Sequence, residues 1–173
     1  AQAYDALDNE GRAVYQAYWQ GKLSASLSGF RYAEEGQYFL AGFMPQKGDV
    51  AVDGGAFDGR TALDFASLGC TVHSFDLDAA NFQNVQAACA KNDAIYANNL
   101  GLGEKRQRIK YAPQMGASHI SASGEMEGEI IDLDSYVDEN RVPRIDYIKF
   151  DIEGAELAAL KGARKTICRW KPK

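Results

Sequence analysis

Between residues 49 and 98, short β-branched runs alternate with amphipathic stretches, and this alternation restricts the fold more than any other feature of the chain. DVAVD (49–53), TVHSF (71–75) and AIYAN (94–98) read as strands, and GRTALDFASLG (59–69) and AANFQNVQAACAKN (79–92) as helices. Gly69 closes the first helix as a C-cap, and Asp78 caps the second. Strands joined through helices run parallel, with right-handed crossovers that lay the helices on both faces. The expectation is a doubly wound α/β sheet whose ligand crevice lies beyond the carboxyl ends of the strands.

Further along, IDYIKFDI (145–152) supplies a fourth strand, and EGAELAALKGARKTICRW a helix with Leu157, Leu160, Ile167 and Trp170 on one side. IIDLDSYVDEN reads as a strand edge entering a short helix capped by Asp134. The stretch from Gly101 to Gly128 has no sustained period except QRIKYA, a candidate extra strand, and loops with a hairpin are expected around it. Residues 1–47 differ in character: Val14, Tyr15, Tyr18 and Trp19 recur at helical spacing, which predicts a helical N-terminal layer packed on the domain of residues 48–173. A substrate-facing cap is the alternative role for that layer.

Composition narrows the functional classes. With 173 residues, 46% of them hydrophobic, the chain is long enough to bury a core. Its formal charge of −5 argues against nucleic acid as a partner, since that binding draws on Lys and Arg neutralising phosphates. No apolar run reaches membrane-spanning length, so a cytoplasmic chain with no membrane partner is expected. Cys70, Cys89 and Cys168 are odd in number and far apart, which favours reduced thiols over disulfides or a zinc site.

The chemistry concentrates at the strand ends. Asp53, Gly55 and Gly59 form the frame D-x-G-x-x-x-G at the first strand-to-helix turn, where free backbone N–H groups and the helix dipole favour anionic ligand groups. SFDLD ends the second strand, and Asp76 is placed to accept hydrogen bonds from both hydroxyls of a ribose. Asn98 and Asn99, after the third strand, are candidates for an adenine edge. On the fourth strand, Lys149, Asp151 and Glu153 share one side by alternation, and a buried strand holds such charges only when they pair or act.

These motifs stand together in one order. The run IKFDIEGAE carries K-x-D-x-E-G-x-E at Lys149, Asp151, Glu153, Gly154 and Glu156, and it follows VDGGAFDG, FDLDAANF and NLGLGE. The combination, over roughly residues 48–168, resembles the FkbM family of class I methyltransferases. The resemblance implies a Rossmann-like, mainly parallel sheet that binds S-adenosylmethionine and transfers its methyl group to a hydroxyl oxygen of a sugar or other small-molecule acceptor. It further implies that Asp53, Gly55, Ala56, Phe57 and Gly59 line the methionine end, that Asp76 with Leu77 takes the ribose, and that Asn99 lies near the adenine. Asp76 stands where a glutamate is common in the family, and Gly101 where alanine is usual.

Such a domain normally continues through three more strands, so the C-terminal strands look missing from the sequence and the edge of the fourth strand looks bare. Either the sequence is a fragment of a longer chain or a partner completes the sheet, by homodimer formation or strand exchange. For the chemistry, Asp151 is the first candidate base for the acceptor hydroxyl, Glu153 would orient the acceptor, and Lys149 would hold Asp151 ionised or fix the loop. A buried ion-pair network that only shapes the crevice is the competing account of the same residues. His119 is a second base candidate, His73 reads as a core residue, and no clear third ligand accompanies Asp151 and Glu153 for a metal. Two rival functions remain open at this point: a non-catalytic nucleoside-binding or assembly module, and an NAD-dependent oxidoreductase.

Overall fold

A computed structural model describes residues 2–26, 38, 39, 42–90, 92–112, 119, 120 and 124–173. The chain divides after Gly42 into two compact units. In the first, α1 (Gln2–Asp5) precedes α2 (Asn9–Ser24), which Asp8 caps by accepting a 2.7 Å hydrogen bond from the Gly11 N–H. Tyr4, Tyr15, Tyr18 and Trp19 meet ring to ring at 5.5–6.2 Å. Tyr15, Tyr18 and Trp19 nevertheless stay 42–47% exposed, and Gly21 alone of the α2 residues is buried. The rings at this helical spacing pack on one another within the first unit. Phe30 and Tyr32 lie outside the described residues.

The second unit opens with β1 (Val50–Gly54), buried throughout, then α3 (Arg60–Ser67), β2 (Thr71–Phe75), α4 (Ala79–Cys89) and β3 (Ile95–Asn98). As the sequence predicts, Gly69 follows the end of α3, and Asp78 Oδ1 caps α4 by accepting from the N–H groups of Ala80 (2.9 Å) and Asn81 (3.2 Å). Next come β4 (Gly101–Leu102), β5 (Gln107–Ala112), β6 (His119–Ile120), β7 (Met126–Ile131), α5 (Leu133–Glu139), β8 (Tyr147–Phe150), α6 (Glu156–Gly162) and α7 (Arg164–Trp170).

The principal sheet has the order β3-β2-β1-β8, and every pairing in it is parallel. With helices between its strands this is the Rossmann-like α/β sheet. Its interior packs Val50, Val52 and Phe75 against Leu133, Tyr136, Val137 and Ile145, with Ile167 and Trp170 of α7 closing over them. Full burial of side chains such as Phe75 is worth about 2 kcal/mol each. At the outer edge of β8, Lys173 donates to the Asp146 carbonyl (3.0 Å) and accepts from the Ile148 N–H (2.9 Å), so the chain itself meets part of that edge.

Three local expectations need correction. β4, β5, β6 and β7 form a second four-stranded sheet, in the order β4-β7-β5-β6, in which QRIKYA is the strand β5 and the other three strands stand in place of the loops expected around it. β5 and β7 are exposed at their starts and buried only toward their ends, so polar residues interrupt the alternation along them. The helix expected over 153–170 is two: Asp134 accepts from the N–H groups of Lys165 (2.9 Å) and Thr166 (2.8 Å) and so starts α7 afresh, leaving Leu157 and Leu160 67% and 47% exposed. Asp134 thus caps α7, and α5 is capped by Asp132, which accepts from the Ser135 N–H at 2.8 Å. Among the described residues no helix is long and apolar enough to cross a membrane.

Candidate functional site

Parallel strands end together, so the carboxyl ends of β1, β2 and β8 bring their last residues to one place. β1 leaves the sheet through Gly55, at φ 77°, and a side chain there would overlap the carbonyl oxygen of Asp151. Asp151 N–H donates to the Gly54 carbonyl at 3.0 Å, which joins the glycine turn to the end of β8.

Beneath this junction, Asp53 and Lys149 stand opposite each other in the β1–β8 register. Lys149 Nζ lies 3.0 Å from Asp53 Oδ1 and donates to the carbonyls of Gly54 (3.1 Å) and Gly55 (2.8 Å). Both side chains are buried, Asp53 completely. Burial pushes the Asp53 carboxyl above its ordinary value, and the Lys149 ammonium opposes that rise. The alternation that grouped Lys149 with Asp151 and Glu153 ends with β8 at Phe150: Lys149 is directed to Asp53 and the turn, while Asp151 and Glu153 are exposed beyond the strand.

On the other side of β1, Asp76 follows β2. Its Oδ2 accepts from the Phe57 N–H (2.8 Å), and its Oδ1 from the Asp78 N–H (2.9 Å) and from Asn81 Nδ2 (3.3 Å). Burial raises the Asp76 carboxyl above its ordinary value, and these donors work against that rise. Asn99 Nδ2 donates to the carbonyls of Asp76 (3.0 Å) and Leu77 (3.1 Å), holding the turn that carries the acid.

A cavity of about 260 Å³ lies over these strand ends. Phe75, Leu100, Leu102 and Ile130 give it apolar walls, and its polar groups are Asp76 and Asn81 from the β2 side and Asp151 and Glu153 from the β8 side. Gly55, Phe57 and Leu77 also line it, whereas Asp53, Ala56, Gly59, Asn99 and Lys149 lie outside its lining. No Lys or Arg occurs among its described lining residues.

Two non-glycine residues on the cavity, Phe57 (φ 52°) and Glu153 (φ 53°), adopt the left-handed conformation, which costs about 1 kcal/mol each. The Glu153 turn is held by Glu156, whose Oε1 accepts from the Ile152 N–H at 3.1 Å. The backbone N–H groups of Glu156 itself, Gly154 and Ile152 keep the Glu156 carboxyl below its ordinary value. Paired backbone strain of this kind persists where the surroundings enforce it, and it gathers at functional sites.

The run K-x-D-x-E-G-x-E thus divides into a buried clamp at Lys149, two cavity acids and a loop-holding acid. The methyltransferase FkbM domain matches residues 53–173, which takes in this run and both acidic strand ends. The chain belongs to the FkbM methyltransferase family. No curated protein and no solved structure matches it at a significant level.

Within this FkbM domain several contributors carry no sequence signal of their own. Asn81 sits on α4, five residues after Asp76, and Ile130 reaches the cavity from the second sheet. Neither the strained turn at Phe57 nor the loop-holding role of Glu156 can be read from spacing. His73, expected in the core, is buried there with Nδ1 2.9 Å from the Tyr136 hydroxyl, and burial lowers its pKa to about 4. His119 pairs through its backbone with Ala112, and its side chain lies outside the described residues. Among the described residues no group of three His, Cys, Asp or Glu is placed to hold a metal ion.

Proposed function

We propose that this FkbM domain is an S-adenosylmethionine-dependent methyltransferase acting on a hydroxyl oxygen of a small-molecule or sugar acceptor. The observation that carries this reading is the charge of the cavity: Asp76, Asp151 and Glu153 line it with no cation among the described lining residues. A dinucleotide would set its pyrophosphate among three carboxylates, at a Coulombic cost that grows as water is excluded. A nucleoside that carries a sulfonium and an ammonium is favoured by the same charges. The donor set fits that cofactor.

Asp76 would hold the ribose. A carboxylate accepts about four hydrogen bonds, and Asp76 uses three within the protein, one of them on Oδ2, so Oδ2 retains capacity for a hydroxyl. Leu77 and the apolar wall at Leu100 suit the adenine, and the turn through Gly55 and Phe57 suits the methionine end. Bound there, the cofactor supplies an activated methyl group on a good leaving group. The protein's part is alignment of the acceptor oxygen with that methyl, and removal of one proton. Asp151, exposed on the cavity and anchored through its own N–H to Gly54, is the base that takes the hydroxyl proton, and Glu153 orients the acceptor.

Isothermal titration calorimetry with S-adenosylhomocysteine and with NAD tests this reading. Binding of the first without the second is expected. Binding of NAD alone overturns the proposal, and binding of neither favours an assembly role for the chain.

A further inference from the structure

We infer that Lys149 is a positioning residue, which sets cofactor affinity by holding the carbonyls of the glycine turn and does not itself meet acceptor or methyl group. The inference rests on the reading of the cavity as a cofactor site. Its basis is the geometry of one buried ammonium. The Lys149 ammonium donates to the carbonyl oxygens of Gly54 and Gly55 at 3.1 and 2.8 Å and forms an ion pair with Asp53 Oδ1 at 3.0 Å. Gly55 lines the cavity and Lys149 does not. The two carbonyls belong to the residues at which the chain leaves β1, so the ammonium fixes the direction in which the turn departs.

The same turn is held elsewhere by its N–H groups. Gly55 and Ala56 donate to the Phe75 carbonyl at 2.9 and 3.1 Å, and Phe57 donates to Asp76. Lys149 is therefore the carbonyl-side anchor of a loop whose amide side is tied to β2 and to the ribose acid. Removing it takes this donor from the part-buried Gly55 carbonyl and leaves the Gly54 carbonyl with the Asp151 N–H alone. Asp53, in this account, balances the charge of the anchor inside the sheet.

The ion pair and the anchor separate in a small variant set. Lys149→Met strands the buried Asp53 carboxylate and lowers stability. Asp53→Asn together with Lys149→Met removes both charges, and its thermal midpoint recovers toward the parent. S-adenosylhomocysteine affinity in this double variant is nonetheless expected to stay about tenfold below the parent. Asp53→Asn alone keeps the ammonium on both carbonyls and loses less affinity than the double variant.

Amide hydrogen exchange at residues 55–57 gives the readout that needs no ligand: faster exchange in the double variant than in Asp53→Asn. A double variant with parental affinity and parental exchange overturns the inference and leaves Lys149 as a counter-charge alone. If the parent protein does not bind S-adenosylhomocysteine, the cofactor reading falls, and the exchange rates still decide whether Lys149 anchors the turn.

Discussion

Gly55 abuts the backbone of Asp151 so closely that a β-carbon on the glycine would overlap the Asp151 carbonyl oxygen. The glycine turn and the proposed base are therefore one packing unit. Gly154, with φ 96° and open space around it, provides the contrast. Gly55→Ala should destabilise the domain by about 3 kcal/mol, and Gly154→Ala by about 1 kcal/mol, since only the first adds a clash to the conformational cost. Urea unfolding of the two variants measures the difference, and equal losses would show that the β1–β8 junction relaxes freely.

Asp151 carries the acid–base prediction. Its replacement by Asn keeps the shape and the backbone bond to Gly54 while removing the basic oxygen. Methyl transfer to a hydroxyl acceptor should fall by about 100-fold or more in kcat, with a much smaller change in S-adenosylhomocysteine affinity. Steady-state kinetics alongside calorimetry tests the split. A loss confined to cofactor binding would assign Asp151 to the cofactor half of the site.

His73 predicts a pH dependence of stability. It is buried between Tyr96, which stacks on it at 5.0 Å, and the Tyr136 hydroxyl at 2.9 Å, and its pKa is lowered to about 4. A folded-state value below the unfolded value means that the unfolded chain binds the extra proton first. The stabilising effect of the neutral ring is therefore complete above about pH 6.5 and is lost as pH falls toward about 4, in total up to roughly 3 kcal/mol. Thermal midpoints measured from pH 7 to pH 4 should fall less steeply in His73→Gln than in the parent. Parallel curves would show that the ring titrates at its ordinary value in the folded state.

Asp134 links α5 to the start of α7 by two backbone hydrogen bonds. Asp134→Ala should cost about 1 kcal/mol and lower the thermal midpoint by roughly 3 °C, because the first turn of α7 loses its side-chain acceptor. Differential scanning calorimetry measures this, and an unchanged midpoint would show that water replaces the carboxylate at no cost.

Much of the candidate site was legible before any coordinates. Asp76, Gly55, Asp151 and Glu153 stand at strand ends that periodicity alone locates, and a parallel sheet gathers such ends at one edge. Of the second sheet, QRIKYA and the strand end at Ile130 and Ile131 were legible, and the rest was not, since its strands are short or lack sustained alternation. Nor was the break between α6 and α7, which depends on Asp134, a residue some thirty positions upstream by chain separation.

The alternation of strands and helices, and the run IKFDIEGAE after the glycine turn, determined the fold class and the family from sequence alone, because periodicity and local spacing are encoded within a few residues of each other. The division of labour among the charges was decided only by the tertiary structure. Lys149, Asp151 and Glu153 look equivalent along the chain, yet β8 ends at Phe150, so one is drawn into the sheet beside Asp53 and the other two face the cavity. That outcome turns on where the strand stops and on which strand lies next to it, and both are set by long-range packing.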